Sequence, residues 1–222
     1  MTLYWLLKVL VGPLAMLVFR PWTRGRTRVP PHGPVILAAN HLSLVDWLLI
    51  PLVTPRRVTF LAKSEFFELP GFGGAFVRWL MRTSGQIPVH RAGGLAADRA
   101  LDRAVDILGH GSVVGIFPEG TRSPDGRLYR GRTGVARLAL ETGATVIPVA
   151  VIGTDRVLPI GARVPRIHRV GVVFGRPRHY GEIRGTTDEG VLRAITDEIM
   201  HDLTALTGQP YCDSYAADFR LP

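Results

Sequence analysis

The stretch Val35-Ile36-Leu37-Ala38-Ala39-Asn40-His41-Leu42-Ser43-Leu44-Val45-Asp46-Trp47-Leu48-Leu49-Ile50 decides the fold. Its opening apolar run is the pattern of a short buried strand, and Trp47 to Ile50 reads as the start of a helix. His41 and Asp46 stand five positions apart, so they cannot share one face of a helix that turns every ~3.6 residues. They can face each other if the helix begins between them, with Ser43 as N-cap and Asp46 at the third helical position. His41 then lies on a strand-to-helix turn, the place where open α/β sheets carry their sites.

The chemistry that suits such a pair is proton abstraction. A neutral imidazole accepts a proton from a hydroxyl, while a carboxylate holds the ring's tautomer and stabilises the imidazolium. The chain has no Gly-x-Ser-x-Gly elbow, and its single cysteine, Cys212, has no histidine nearby in sequence. His41 is therefore read as a base acting on a substrate hydroxyl, with Asp46 as its orienting acid. The plainer alternative leaves Asp46 as a helix cap and His41 as an ordinary turn residue.

Three further motifs follow in order: Gly85-Gln86-Ile87-Pro88-Val89-His90-Arg91, Phe117-Pro118-Glu119-Gly120-Thr121-Arg122-Ser123 and Val146-Ile147-Pro148-Val149-Ala150. Together with His41-x4-Asp46 this series resembles the glycerolphosphate acyltransferase family, in particular the bacterial 1-acylglycerol-3-phosphate acyltransferases. The similarity covers about residues 30 to 180. The resemblance implies acyl transfer from acyl-CoA or acyl carrier protein to the sn-2 hydroxyl of lysophosphatidate, giving phosphatidate. It implies His41 and Asp46 as catalytic residues. It implies Arg91, Glu119, Gly120, Thr121 and Arg122 as the acceptor site, with Arg91 and Arg122 on the phosphate. Guanidinium groups suit that task because they bind phosphate oxygens in a bidentate fork. Other acceptors stay open: glycerol 3-phosphate, another lysophospholipid or a lipid-linked amine. So does a lipid-binding protein that has lost catalysis. No cofactor or metal is expected, the acyl thioester being a co-substrate.

Composition bears on compartment. The chain has 222 residues, enough for one sizeable domain, and carries a formal charge of +9, nearly all from arginine. Such a surface favours anionic headgroups and phosphorylated substrates. No aromatic-interleaved basic stripe or zinc pattern points to nucleic acid.

Leu3 to Phe19 is almost wholly apolar, with Lys8 in its middle, Gly12-Pro13 beyond, and Arg20, Arg24, Arg26 and Arg28 behind. At about 1.5 Å per residue its length falls slightly short of a ~30 Å hydrocarbon core. Proline should break or kink it. The expectation is two short helices in the membrane interface, with a single kinked span or a core helix as alternatives. Residues 1–28 thus read as a membrane-anchoring helical segment, and residues 29–222 as the acyltransferase domain. The protein is placed peripherally on the cytoplasmic face of the cell membrane. Apolar strands at Val58–Ala62, Gly85–Val89, Val113–Phe117, Val146–Ile152 and Val170–Phe174 alternate with helical patterns at Leu95–Leu108 and Asp188–Leu206. This predicts an α/β fold, a mostly parallel sheet flanked by helices on both faces. Pro148 argues that its strand is an edge or irregular one.

Overall fold

A computed structural model describes residues 2–89, 95–162 and 164–219. The run that opens the deciding stretch becomes β2 (Val35–Ala39), and every one of its side chains is buried. Successive residues of a strand point to opposite faces. Ile36 and Ala38 accordingly join one apolar cluster, and Val35, Leu37 and Ala39 join another on the far side. A strand that needs apolar partners on both faces must sit inside a sheet covered twice, which is what forms around it.

The other strands of that sheet are β1 (Trp22–Arg24), β3 (Val58–Lys63), β4 (Ile87–Val89), β5 (Val113–Ile116), β7 (Thr145–Ile152) and β8 (Gly171–Phe174), while β6 (Leu128–Tyr129) lies apart. The seven-stranded order is β1-β8-β7-β2-β5-β3-β4. All neighbours are parallel except β7 and β8. The helices are α1 (Thr2–Phe19), α2 (Asp46–Val53), α3 (Gly71–Ser84), α4 (Leu95–Gly109), α5 (Gly134–Thr142), the single turn α6 (Thr154–Val157) and α7 (Glu189–Thr207). Leu108 of α4, Leu138 of α5 and Ile199 and Leu203 of α7 cover the face that holds Ile36. Ile50 and Val53 of α2 cover the other. Helix α7 starts where Asp188 accepts the Val191 amide at 3.0 Å and stops at left-handed Gly208, so the predicted span is matched at both ends. The mostly parallel α/β expectation holds.

Three expectations are corrected. Strand β7 is not an edge, since Pro148 lies between β8 and β2, but the pairing at Pro148 is irregular, the other half of the expectation. The sheet tolerates it because the neighbouring chain bulges away. Val149 pairs Phe174, but Val146 pairs Arg178, so three steps on one strand face four on the other. The extra residue falls opposite Pro148, where a regular ladder would leave a β8 carbonyl without its donor.

Second, the apolar N-terminus forms one helix rather than two, running through Gly12-Pro13. Proline leaves the carbonyl of Val9 without its donor, and both Val9 and Pro13 lie on the exposed side. On the inner side Gly12 lets the helix approach Leu52, where a Cβ would stand 3.1 Å from the leucine methyl. Lys8, which looked out of place in an apolar run, donates to the Pro51 and Thr54 carbonyls at 2.8 and 2.6 Å. It thereby satisfies carbonyls at the C-terminal end of α2 that have no helical donor. Burial, with Arg26 adding to it, pulls its ammonium down to about 8. Among the described residues no helix is long and apolar enough to cross a membrane.

Third, α2 starts at Asp46 itself, with Val45 as its cap residue. Ser43 does not cap; its hydroxyl donates to the Leu158 carbonyl at 2.8 Å.

Candidate functional site

The turn between β2 and α2 is held from every side. Asn40, wholly buried, continues the β2–β7 ladder with its side chain: Nδ2 donates to the Val151 carbonyl at 3.1 Å and Oδ1 accepts the Val151 amide at 2.7 Å. The His41 carbonyl accepts the Ser123 amide at 2.8 Å, which ties the turn to the loop after β5. Asp46 then reaches back. Its Oδ2 accepts the Leu42 and Ser43 amides, each at 2.8 Å, and His41 Nδ1 at 2.9 Å.

Three donors on one carboxylate oxygen fix the histidine's tautomer. With the Nδ1 proton given to Asp46, the neutral ring keeps its lone pair on Nε2. The ring stacks on Phe117, centroids 3.9 Å apart and planes 12° from parallel. Phe117 in turn stacks on Phe60 at 5.0 Å. Beneath Phe60 lies Gly115 of β5, where a Cβ would stand 2.4 Å from the ring. A glycine in the middle of a buried strand is thus the floor of a stack that ends on His41. Asp46 Oδ1 is buried with no hydrogen-bond partner among the described residues.

His41 is only 8% exposed and lines a cavity of about 590 Å³. One part of the wall is apolar, including Leu44, Trp47, Phe66, Leu69, Met81 and Ile116. Another is polar and cationic: Gly120, Thr121, Arg122 and Arg132. Burial depresses the Arg122 guanidinium and the Asp46 charge opposes that, so it stays a cation facing the cavity that His41 also lines. Gly120 takes a left-handed conformation, φ 74°, and passes close to the Arg132 side chain.

Glu119 does not line this cavity. It is 1% exposed; Oε2 accepts the His41 amide at 3.0 Å and Oε1 accepts the Tyr129 amide at 2.9 Å. Placed with the acceptor-site residues by resemblance, it is here a strut between the β2–α2 turn and β6. Burial pushes its carboxyl up to about 8; the two amides pull the other way, and the nearby Asp46 charge adds to the rise.

The predicted residues therefore separate. His41, Gly120, Thr121 and Arg122 meet at one cavity, with Asp46 behind His41 and Glu119 behind the turn. Arg91 lies outside the described residues. Of the two arginines after β6, Arg132 faces the cavity and Arg130 does not. Arg132 stands over the Tyr215 ring at 4.9 Å, so the chain after α7 returns to brace it. Lys63 also lines the cavity, but Glu65 pairs with it at 2.8 Å. Asn40, Phe117, Gly115 and Tyr215 were not singled out from sequence; an Asn directly after a buried strand was the one available signal. Among the described residues no group of three or more His, Cys, Asp or Glu is placed to hold a metal.

Comparison with known proteins gives a consistent picture. The model of the acyltransferase family matches residues 21–152. A chloroplast 1-acyl-sn-glycerol-3-phosphate acyltransferase of Arabidopsis thaliana is 32% identical over 147 residues, 66% of this chain and 40% of that protein. A 1-acyl-sn-glycerol-3-phosphate acyltransferase of Borreliella burgdorferi is 30% identical over 131 residues, 59% of this chain and 50% of that one. The chain thus spans half or less of the length of these curated relatives. The solved structure of the 1-acyl-sn-glycerophosphate acyltransferase of Thermotoga maritima superposes with a TM-score of 0.68. It is 28% identical, and the match covers 88% of this chain and 76% of that one.

Proposed function

The chain belongs to the acyltransferase family, and from that premise we propose that it transfers an acyl group from a thioester to the sn-2 hydroxyl of 1-acyl-glycerol 3-phosphate. The observation that carries this reading is His41, held by Asp46, opening on the same cavity as the guanidinium of Arg122, which forms no salt bridge among the described residues. A hydroxyl next to a phosphate is the substrate such a pair can hold and activate.

His41 Nε2 takes the hydroxyl proton as the oxygen attacks the thioester carbonyl. The C–O bond forms, the carbonyl oxygen becomes an oxyanion, and the imidazolium is stabilised by Asp46. Collapse breaks the C–S bond and expels the thiolate, which takes the proton back from His41. Arg122, with Gly120 and Thr121, seats the acceptor phosphate; Arg91, outside the described residues, belongs to the same proposed task. Arg132 stands ready for a second anionic group, on acceptor or donor. The apolar wall from Leu44 to Ile116 suits acyl chain. General-base assistance supplies ~10²–10⁴ in rate, and positioning supplies much of the rest. Acyl-CoA and acyl carrier protein are both compatible donors.

The enzyme works at the cytoplasmic face of the cell membrane, held peripherally. Support comes from the exposed Trp5, Leu6 and Val9 of α1 and from Phe72 at the start of α3, 98% exposed. Helix α1 packs on α3, so these residues belong to neighbouring elements.

The test is thiol release from palmitoyl-CoA by detergent-purified protein, with and without 1-acyl-glycerol 3-phosphate. Acceptor-dependent release that is lost in His41→Ala supports the reading. Release indifferent to the acceptor, or a His41→Ala enzyme with more than about a tenth of the activity, overturns the base assignment. Turnover restricted to glycerol 3-phosphate would keep the chemistry and replace the acceptor.

A further inference from the structure

The connection from β7 to β8 carries an unusual surface. Val164 is 75% exposed and Ile167 81%, and Ile160 is exposed beside them. Arg156, Arg166 and Arg169 are exposed on the same segment, and none forms a salt bridge among the described residues. Bare branched aliphatics interleaved with unpaired arginines are costly against water alone, and they match an interface with acyl chains below and phosphates above.

The segment is also joined to α1. The Val170 amide donates to the Phe19 carbonyl at 3.3 Å, and the Trp22 amide donates to the Val170 carbonyl at 3.0 Å. Phe19 packs with Leu49, Val157, Leu158 and Val170 in one cluster. Just before that junction α1 exposes Met16 and Leu17, and just after it Trp22 is exposed. Tryptophan is enriched at the membrane–water interface. The apolar surface of α1 therefore does not stop at its last turn.

We propose that the β7–β8 connection is a second lipid-docking element, inserting Ile160, Val164 and Ile167 into an anionic bilayer while Arg156, Arg166 and Arg169 engage headgroup phosphates. The domain then rests on the membrane through α1 and this connection together, joined at Phe19 and Val170. A protein partner with an acidic face would meet the same arginines, but it would not call for Val164 and Ile167 to be so strongly exposed.

The full chain is tested by flotation with phosphatidylcholine vesicles and with vesicles that also contain phosphatidylglycerol. Val164→Asp combined with Ile167→Asp is expected to lower binding to the anionic vesicles by about tenfold or more. Arg166→Gln combined with Arg169→Gln should lower binding to the anionic vesicles alone and weaken its salt dependence. All four positions are exposed, so both variants should keep the wild-type unfolding midpoint. Unchanged vesicle binding in the aspartate variant overturns the proposal. So does intact vesicle binding with loss of a complex with acyl carrier protein, which would make the segment a protein dock. Neither readout depends on turnover, so the reaction proposed above can fail without touching this result, and the reverse.

Discussion

Replacing Glu119 separates two roles that sequence alone cannot distinguish. If the side chain binds the acceptor, Glu119→Ala leaves the fold alone and raises KM. If it is the strut described above, the variant strands two buried amides, those of His41 and Tyr129. Each buried amide left without a partner costs ~1–3 kcal/mol, so the two together cost about 2–6 kcal/mol. That is a large part of the ~5–15 kcal/mol that a domain of this kind has. The loss should also depend on pH. The folded carboxyl sits at about 8 against an unfolded value near 4.5, so between those values the native state holds the proton and the unfolded state does not. Stability from this group is therefore fully present below about 4.5 and declines as pH rises toward 8. The gap between wild type and Glu119→Ala should shrink over that interval. Chemical unfolding followed by circular dichroism in detergent measures it, alongside acceptor KM. A variant with wild-type stability and a raised KM would refute the strut and restore Glu119 to the acceptor site.

Asp46→Asn should lower kcat by ~10²–10⁴ with little change in acceptor KM, because the tautomer is lost while Arg122 stays in place; equal kcat in steady-state assays would remove Asp46 from the mechanism. Arg122→Ala should chiefly raise KM for the phosphorylated acceptor, and an unchanged KM would take it off the phosphate. Gly115→Ala should cost ~1–3 kcal/mol by overpacking and also lower kcat, since the new methyl displaces Phe60 and with it the stack on His41. Thermal unfolding and turnover check both halves, and normal turnover in a destabilised protein would break the link.

Much of this was legible from local pattern. The unbroken apolar run Val35–Ala39 announces a strand with two covered faces, and the spacing of His41 and Asp46 lets the two face each other only across a helix start, which falls at Asp46 itself. What stayed hidden depends on partners far along the chain. The aim of the Glu119 side chain is set by amides 78 positions before it and ten after it. Asn40 finds its partner 111 residues away. Pro148 reads as an edge signal until the extra residue in the facing chain is seen, and a bulge in a partner strand leaves no mark beside the proline. The start of α2 was displaced by two residues because Asp46 bonds backward to the turn instead of Ser43 bonding forward, and both patterns use the same letters.

Lys8 gives the fold a mechanical property. Its ammonium grips the C-terminal end of α2, and the first residue of that helix is Asp46. Eight residues of helix make a rod about 12 Å long. One end of that rod is fastened to the helix proposed to lie in lipid, and the other end holds the His41 ring. A displacement of α1 against the body would therefore reach His41 as a displacement of its partner oxygen, through a short stiff element with little slack. If α1 lies in lipid and His41 is the base, seating on the bilayer and registration of the base would become a single adjustment, and the detergent or lipid chosen for α1 would be a setting of that turn.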